Sequence, residues 1–209
     1  IDGDVVKSID DVLSDTVDWS THDDREVAFK LSYGGSLSGD GKYLNWPTGK
    51  GGAGEGVEAW QILSPFRSRA FGTVEINRHV KRSLRTKDLD LAFRYGRSTW
   101  RNPKPIGPEQ IVRGDKVMQT KNDSRAKSYP EGSGLNYVAN GEIGVVVGVW
   151  SSKPRQPAHV EFSSQIGAKY TYWASAKEDP PLELAWAVTV HKSQGSEFDT
   201  TILVLPKRV

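Results

Sequence analysis

The residues best placed to do chemistry form one short string, Thr189-Val190-His191-Lys192-Ser193-Gln194-Gly195-Ser196-Glu197-Phe198. Small, cationic and amide side chains surround a single glycine, with apolar runs on either side. Such a loop brings backbone N–H groups and a cation up to phosphate oxygens. Composition alone also fits a solvated connection with one helix cap. A second candidate is the string Trp60-Gln61-Ile62-Leu63-Ser64-Pro65-Phe66-Arg67, with Arg69 close behind. On composition alone its arginines read as a pair of solvated loop cations.

Other chemistries lack their residues. The chain has no cysteine, and its four histidines, His22, His79, His159 and His191, are scattered. That excludes a disulfide framework and cysteine-rich zinc sites, and it favours an intracellular compartment. No metal-binding residues are assigned, and no H-E-x-x-H motif or acidic metal cluster supports a nuclease. A phosphate-cradling loop needs G-x-x-x-x-G-K-[ST]. Gly49-Lys50 fails it, because Gly51 follows and Leu44 stands where the first glycine belongs. No apolar run approaches the roughly 18 residues of a membrane span, and the opening residues are not those of a signal peptide. The expectation is a cytoplasmic protein with no membrane contact. With 28 basic and 26 acidic residues, the net charge is +2, so any contact with nucleic acid must be local.

Several elements must position these residues. Ala59 to Leu63 reads as a buried strand stopped by Ser64-Pro65, and Ile76, Val80 and Leu84 mark one face of a helix after Gly72. Between Ile106 and Trp173 the pattern turns to short strands at 116–120, 144–150, 159–162 and 170–173, with Asn140-Gly141 as a turn signal. This is the pattern of a small SH3-like barrel inserted into a larger unit. The run from Leu182 to Thr189 fits a sheet strand or a helix, and Thr201 to Leu205 is an apolar strand. Acidic, then glycine-rich, residues 1–56 predict a β-rich, irregular or linker segment. Tyr137, Trp150, Tyr170, Tyr172 and Trp173 are aromatics that belong to a core or stack on bases.

The first string resembles motif V of superfamily 1 helicases, in the form of the RecD-like branch rather than the UvrD branch. The second, with Gly72 and Ile76-Asn77-Arg78, resembles motif IV of the same enzymes. Gly114-Asp115-Lys116-Val117-Met118-Gln119 and Asn140 to Val146 are similar to the SH3-like insertion that precedes motif V in RecD-like enzymes. The resemblance covers about residues 57–206. It implies an α/β, RecA-like (P-loop-type) second motor domain, incomplete here, over 57–105 and 180–209, with the SH3-like insertion at 106–179.

It also implies roles. Arg67 would be catalytic, reaching the γ-phosphate. Gln61, Gly195 and Glu197 would face the nucleotide, and Thr189, His191, Lys192 and Ser193 would lie along single-stranded DNA. The parent would be an ATP-dependent DNA helicase using ATP and Mg2+, neither held by this chain alone. It would be a helicase by itself, one associated with a nuclease, or one fused to a conjugative relaxase. Its partners would be single-stranded DNA, the N-terminal RecA-like domain of the same polypeptide, and nuclease or recombination subunits. Motor residues expected beyond motif V, an arginine motif among them, would lie past Val209. A non-catalytic module that keeps the fold and grips nucleic acid or protein stays open as the alternative.

Overall fold

The computed structural model describes residues 3–95, 105–148, 158–173 and 179–205. Val149, Trp150 and residues 206–209, which fall within the expected strands and motor segment, lie outside the described residues.

The first 56 residues correct the β-rich expectation. They form α1 (Gly3–Thr16), α2 (Arg25–Leu31), a small hairpin of β1 (Ser36–Leu37) and β2 (Leu44–Asn45), and α3 (Ala53–Gly56). Ile9, Leu13 and Val17, four residues apart, are all buried. That spacing is the helical signal, and the aspartates between them make the solvated face. Asp24 starts α2 by accepting from the Glu26 N–H at 3.0 Å, the usual N-cap bond. Some of the glycines that point to hairpins serve instead for close crossing: a Cβ on Gly56 would lie 2.5 Å from the Gly34 Cα.

Next come β3 (Trp60–Ser64), α4 (Thr73–Leu84) and α5 (Thr86–Tyr95). Ile76, Val80 and Leu84 line the buried face of α4, as their spacing predicts. Then β4 (Lys116–Gln119), β5 (Ser128–Tyr129), β6 (Ile143–Gly148), β7 (Ala158–Phe162), β8 (Lys169–Tyr172) and β9 (Leu182–Leu184) build a six-stranded antiparallel sheet in the order β5-β8-β7-β6-β4-β9. The last strands, β10 (Ala187–Thr189) and β11 (Thr200–Leu203), pair in parallel with β3 from either side. The chain is thus mixed α/β, with a parallel sheet interrupted by an antiparallel one.

One core joins all of it. Phe29 and Tyr33 from the N-terminal segment pack on Trp60 of β3, at 5.8 and 6.2 Å between ring centroids, and Phe29 lies 6.1 Å from Trp186. Residues 1–56 are therefore no linker. A buried charge network reinforces the join. Asp115, fully enclosed, accepts from Lys81 and from Arg85 Nε at 3.0 Å. Arg85 also donates to Asp88 at 2.7 Å, and Lys30 of α2 reaches the same carboxylate at 2.8 Å. Burial raises the Asp88 carboxyl, but Arg85 and Lys30 outweigh it and hold it low.

Candidate functional site

Parallel strands release their loops at a common carboxyl edge, the usual place for a ligand crevice in an open α/β sheet. Here β3 ends at Ser64 and β10 at Thr189, in register, and the Val190 N–H donates to the Ser64 carbonyl at 3.2 Å. The loop after β3 closes tightly. Ser64 Oγ donates to the Phe71 carbonyl at 3.0 Å and accepts from the Phe66 N–H at 3.2 Å. A Cβ on Gly72 would lie 2.5 Å from the Arg67 carbonyl, so only glycine fits where α4 begins.

Arg67, held on this loop, forks onto Glu183 through bonds of 2.8 and 2.9 Å. Lys192 Nζ stands 3.8 Å from the same carboxylate. Glu183 is the outward residue of β9, between buried Leu182 and Leu184. Burial raises its carboxyl, but the Arg67 bond and the Lys192 charge prevail and hold it below the usual range. Beside it, Glu109 accepts from the Leu184 N–H at 2.6 Å, and burial raises its carboxyl. The Arg67 side chain is 50% exposed, and exposed pairs are worth about 0.2–1 kcal/mol. A phosphoryl group, with more charge and a matching fork geometry, can therefore displace Glu183 from Arg67.

The second loop does two things along its length. At its start the Lys192 and Ser193 N–H groups turn back onto the Thr189 carbonyl at 2.8 and 3.1 Å. His191 is exposed, and Gly195 adopts a positive φ of 85°. At its end the Asp199 and Thr200 N–H groups donate to the Glu58 and Ala59 carbonyls, at the amino end of β3. Both strands joined by this loop run parallel to β3, so the loop must travel the whole length of the sheet. The expected residues are separated by that path. Arg67, Thr189 and Lys192 gather around Glu183 in a hollow of about 10 Å³, room for one water at most. Gly195 and Glu197 line an open cleft of about 470 Å³, together with Glu58, Asn140, Glu142 and Ser164, and only Lys192 borders both spaces.

Gln61 is a correction. It is wholly buried, and its amide donates to the carbonyls of Ala185 and Trp186 at 3.0 and 2.8 Å; it shapes the sheet and is not presented to a ligand. Asn77 of α4 does the same from the other side. It donates to Leu184 and Ala187 carbonyls at 2.8 and 2.9 Å and accepts from the Ala187 N–H at 2.8 Å. Sequence reasoning missed Glu183, Glu109 and Lys116. Glu183 has a faint signal, one charge in the apolar run from Leu182 to Val188. Lys116 has none: it is fully buried, donates to the Trp60 carbonyl at 2.7 Å, and lies 5.3 and 5.8 Å from the Trp60 and Phe198 rings. Burial lowers its pKa to about 7, against the opposing charge of Glu58.

No protein-family model matches the chain. It is 27% identical over 158 residues to RecBCD enzyme subunit RecD of Buchnera aphidicola, an alignment covering 73% of this chain and 21% of that protein. It is 29% identical over 150 residues to the ATP-dependent RecD2 DNA helicase of Deinococcus radiodurans, covering 72% of this chain and 16% of that one. The chain thus spans about a fifth of the length of the curated relatives it matches. Among solved structures, unliganded Pif1 from Bacteroides sp. is 23% identical, with a TM-score of 0.32, over 70% of this chain and 46% of that one.

Proposed function

Since the chain is a RecD-like superfamily 1 helicase region, we propose that it forms the second RecA-like motor lobe of an ATP-driven DNA helicase. In this proposal the antiparallel sheet is the SH3-like insertion. The observation that carries the proposal is that the Arg67 loop and the Thr189–Phe198 loop leave one carboxyl edge of a parallel sheet. Arg67 exchanges Glu183 for the γ-phosphate when the parent's first lobe brings nucleotide to that edge. Thr189, His191, Lys192 and Ser193 grip the phosphates of single-stranded DNA. Gly195 and Glu197 face the nucleotide once the lobes close. Nuclease or recombination subunits are partners of the parent.

The fit to the expected ligands is uneven. Arg67 and Lys192 offer exchangeable cations for phosphate oxygens. Among the described residues no group of three or more His, Asp or Glu side chains could hold a metal ion. Replacing Arg67 with alanine in the parent tests the proposal, because the guanidinium acts on charge that develops in the transition state. The expected outcome is a kcat lowered about 100-fold or more, with ATP affinity nearly unchanged. An unchanged kcat sinks the assignment.

A further inference from the structure

The outward face of the antiparallel sheet is covered over β7 and open towards the β5 edge and past the end of β8. Strand alternation puts Val160, Phe162, Tyr170 and Tyr172 in the core, where all four are buried. It puts Tyr129, His159, Glu161, Lys169 and Thr171 on the opposite face, as their cross-strand partners require. On β7 Glu161 is covered by the N-terminal segment and its Oε1 accepts from the Gly49 and Gly167 N–H groups at 2.8 and 2.6 Å. In the same row, beyond Lys169 on the edge strand, Tyr129 is 54% exposed, and Trp173, directly after β8, is 49% exposed. Tyr129 stacks on the His159 ring at 6.4 Å and 30°, and the Lys169 ammonium sits 5.5 Å from the Tyr129 ring. His159 is held in place by the Thr171 hydroxyl at 3.0 Å. Burial and then the Lys169 charge lower its pKa, so this ring is neutral at pH 7 and stacks without adding charge. Lys127, two residues before Tyr129, is exposed, and Ala126 before it is buried.

These groups match one kind of partner. Neither Lys127 nor Lys169 is in an ion pair among the described residues, and Glu161, the carboxylate opposite Lys169, is fully buried. The exposed part of the face thus carries ammonium groups with flat rings beside them. Residues two apart on a strand are about 6.8 Å apart, so Lys169, Thr171 and Trp173 form a row along which an extended chain can lie. Exposed rings beside ammonium groups suit a polyanion whose bases are unpaired; a duplex would offer phosphates but keep its bases stacked within.

We propose that this face is a stacking platform for single-stranded nucleic acid, with Tyr129 and Trp173 taking bases and Lys127 and Lys169 taking phosphates. It is separate from the Thr189–Phe198 loop and does not depend on the role assigned to that loop. The test measures binding of the chain to a fluorescent oligothymidylate at low salt, and to an abasic strand of equal length. Tyr129→Ala and Trp173→Ala should each weaken oligothymidylate binding about 5- to 100-fold and leave abasic binding unchanged. The Tyr129→Phe and Trp173→Phe variants should retain it. The joint change Lys127→Gln with Lys169→Gln should weaken both ligands and flatten the salt dependence. The proposal is overturned if the chain does not bind, if it binds duplex as tightly as the single strand, or if the aromatic variants bind like wild type. Loss of binding through His191→Ala alone would put the whole contact on the loop, and it too would overturn the platform while supporting the loop.

Discussion

Lys116 sits where an ammonium is least welcome, with one carbonyl acceptor and two ring faces in place of water. Its pKa falls from the ordinary lysine value to about 7, so the unfolded chain holds the proton more tightly than the folded one. Between about pH 7 and the unfolded lysine value the unfolded state binds more protons, and stability from this group rises with pH. Below pH 7 both states are charged, and the full cost of burying the ammonium applies. Lys116→Met keeps the unbranched shape and removes the titration. Denaturant midpoints at pH 6.5 and 9.5 should show wild type gaining on the variant as pH rises, by at most about 1.4 kcal/mol per pH unit. A constant gap would mean that Lys116 titrates normally. Glu183 shows how far residue types can mislead. As a lone charge in an apolar run it looks like a surface residue, yet it takes the Arg67 guanidinium and stands beside Lys192.

Among the elements, α4 carries more than its apolar stripe. Its Asn77 fixes the turn between β9 and β10, and its Lys81, with Arg85 at its C-cap, converges on Asp115. Asp115→Ala would leave two buried cations without their shared partner, a change expected to cost about 3–5 kcal/mol in urea unfolding. A loss below about 1 kcal/mol would show that Asp88 alone suffices for Arg85. The strands β3, β4, β6, β7 and β8 were legible because short apolar runs between turn residues carry their own signal. So was α4, through Ile76, Val80 and Leu84. The run from Leu182 to Thr189 was legible as sheet but not as two strands, because it belongs to two sheets. It leaves the antiparallel one at Leu184 and enters the parallel one at Ala187, and the buried amides of Gln61 and Asn77 hold that switch from distant parts of the chain. Nothing local encodes it. Some glycines of 34–56 misled for a related reason: Gly34, Gly52 and Gly56 serve close packing of backbone on backbone, while Gly41, Gly49 and Gly51 do make turns.

At the scale of the molecule, the Thr189–Phe198 loop starts at the Arg67 edge of the parallel sheet, where Lys192 also meets the Gly141 turn of the antiparallel one, and ends at the amino end of β3. Its two ends lie at opposite edges of the sheet, so under the proposed function the parent's DNA grip and nucleotide turnover should be separable by mutation. His191→Ala is expected to lower DNA-stimulated ATPase and spare the basal rate, while Glu197→Ala lowers both. Equal behaviour of the two variants, measured as basal and stimulated phosphate release, would contradict the division. The parallel sheet also has a history. The Gln61 amide meets the Trp186 carbonyl 125 residues further along the chain, and both neighbours of β3 follow that gap. On a ribosome, at 5–20 residues per second as a rough rate, β3 emerges and then waits on the order of ten seconds for either partner. The antiparallel sheet, whose pairings are mostly between strands close in sequence, can form in the meantime. The Thr189–Phe198 loop is therefore assembled last, onto a central strand whose hydrogen-bonding edges have stood open throughout. Such high contact order makes for slow folding and for exposure to aggregation.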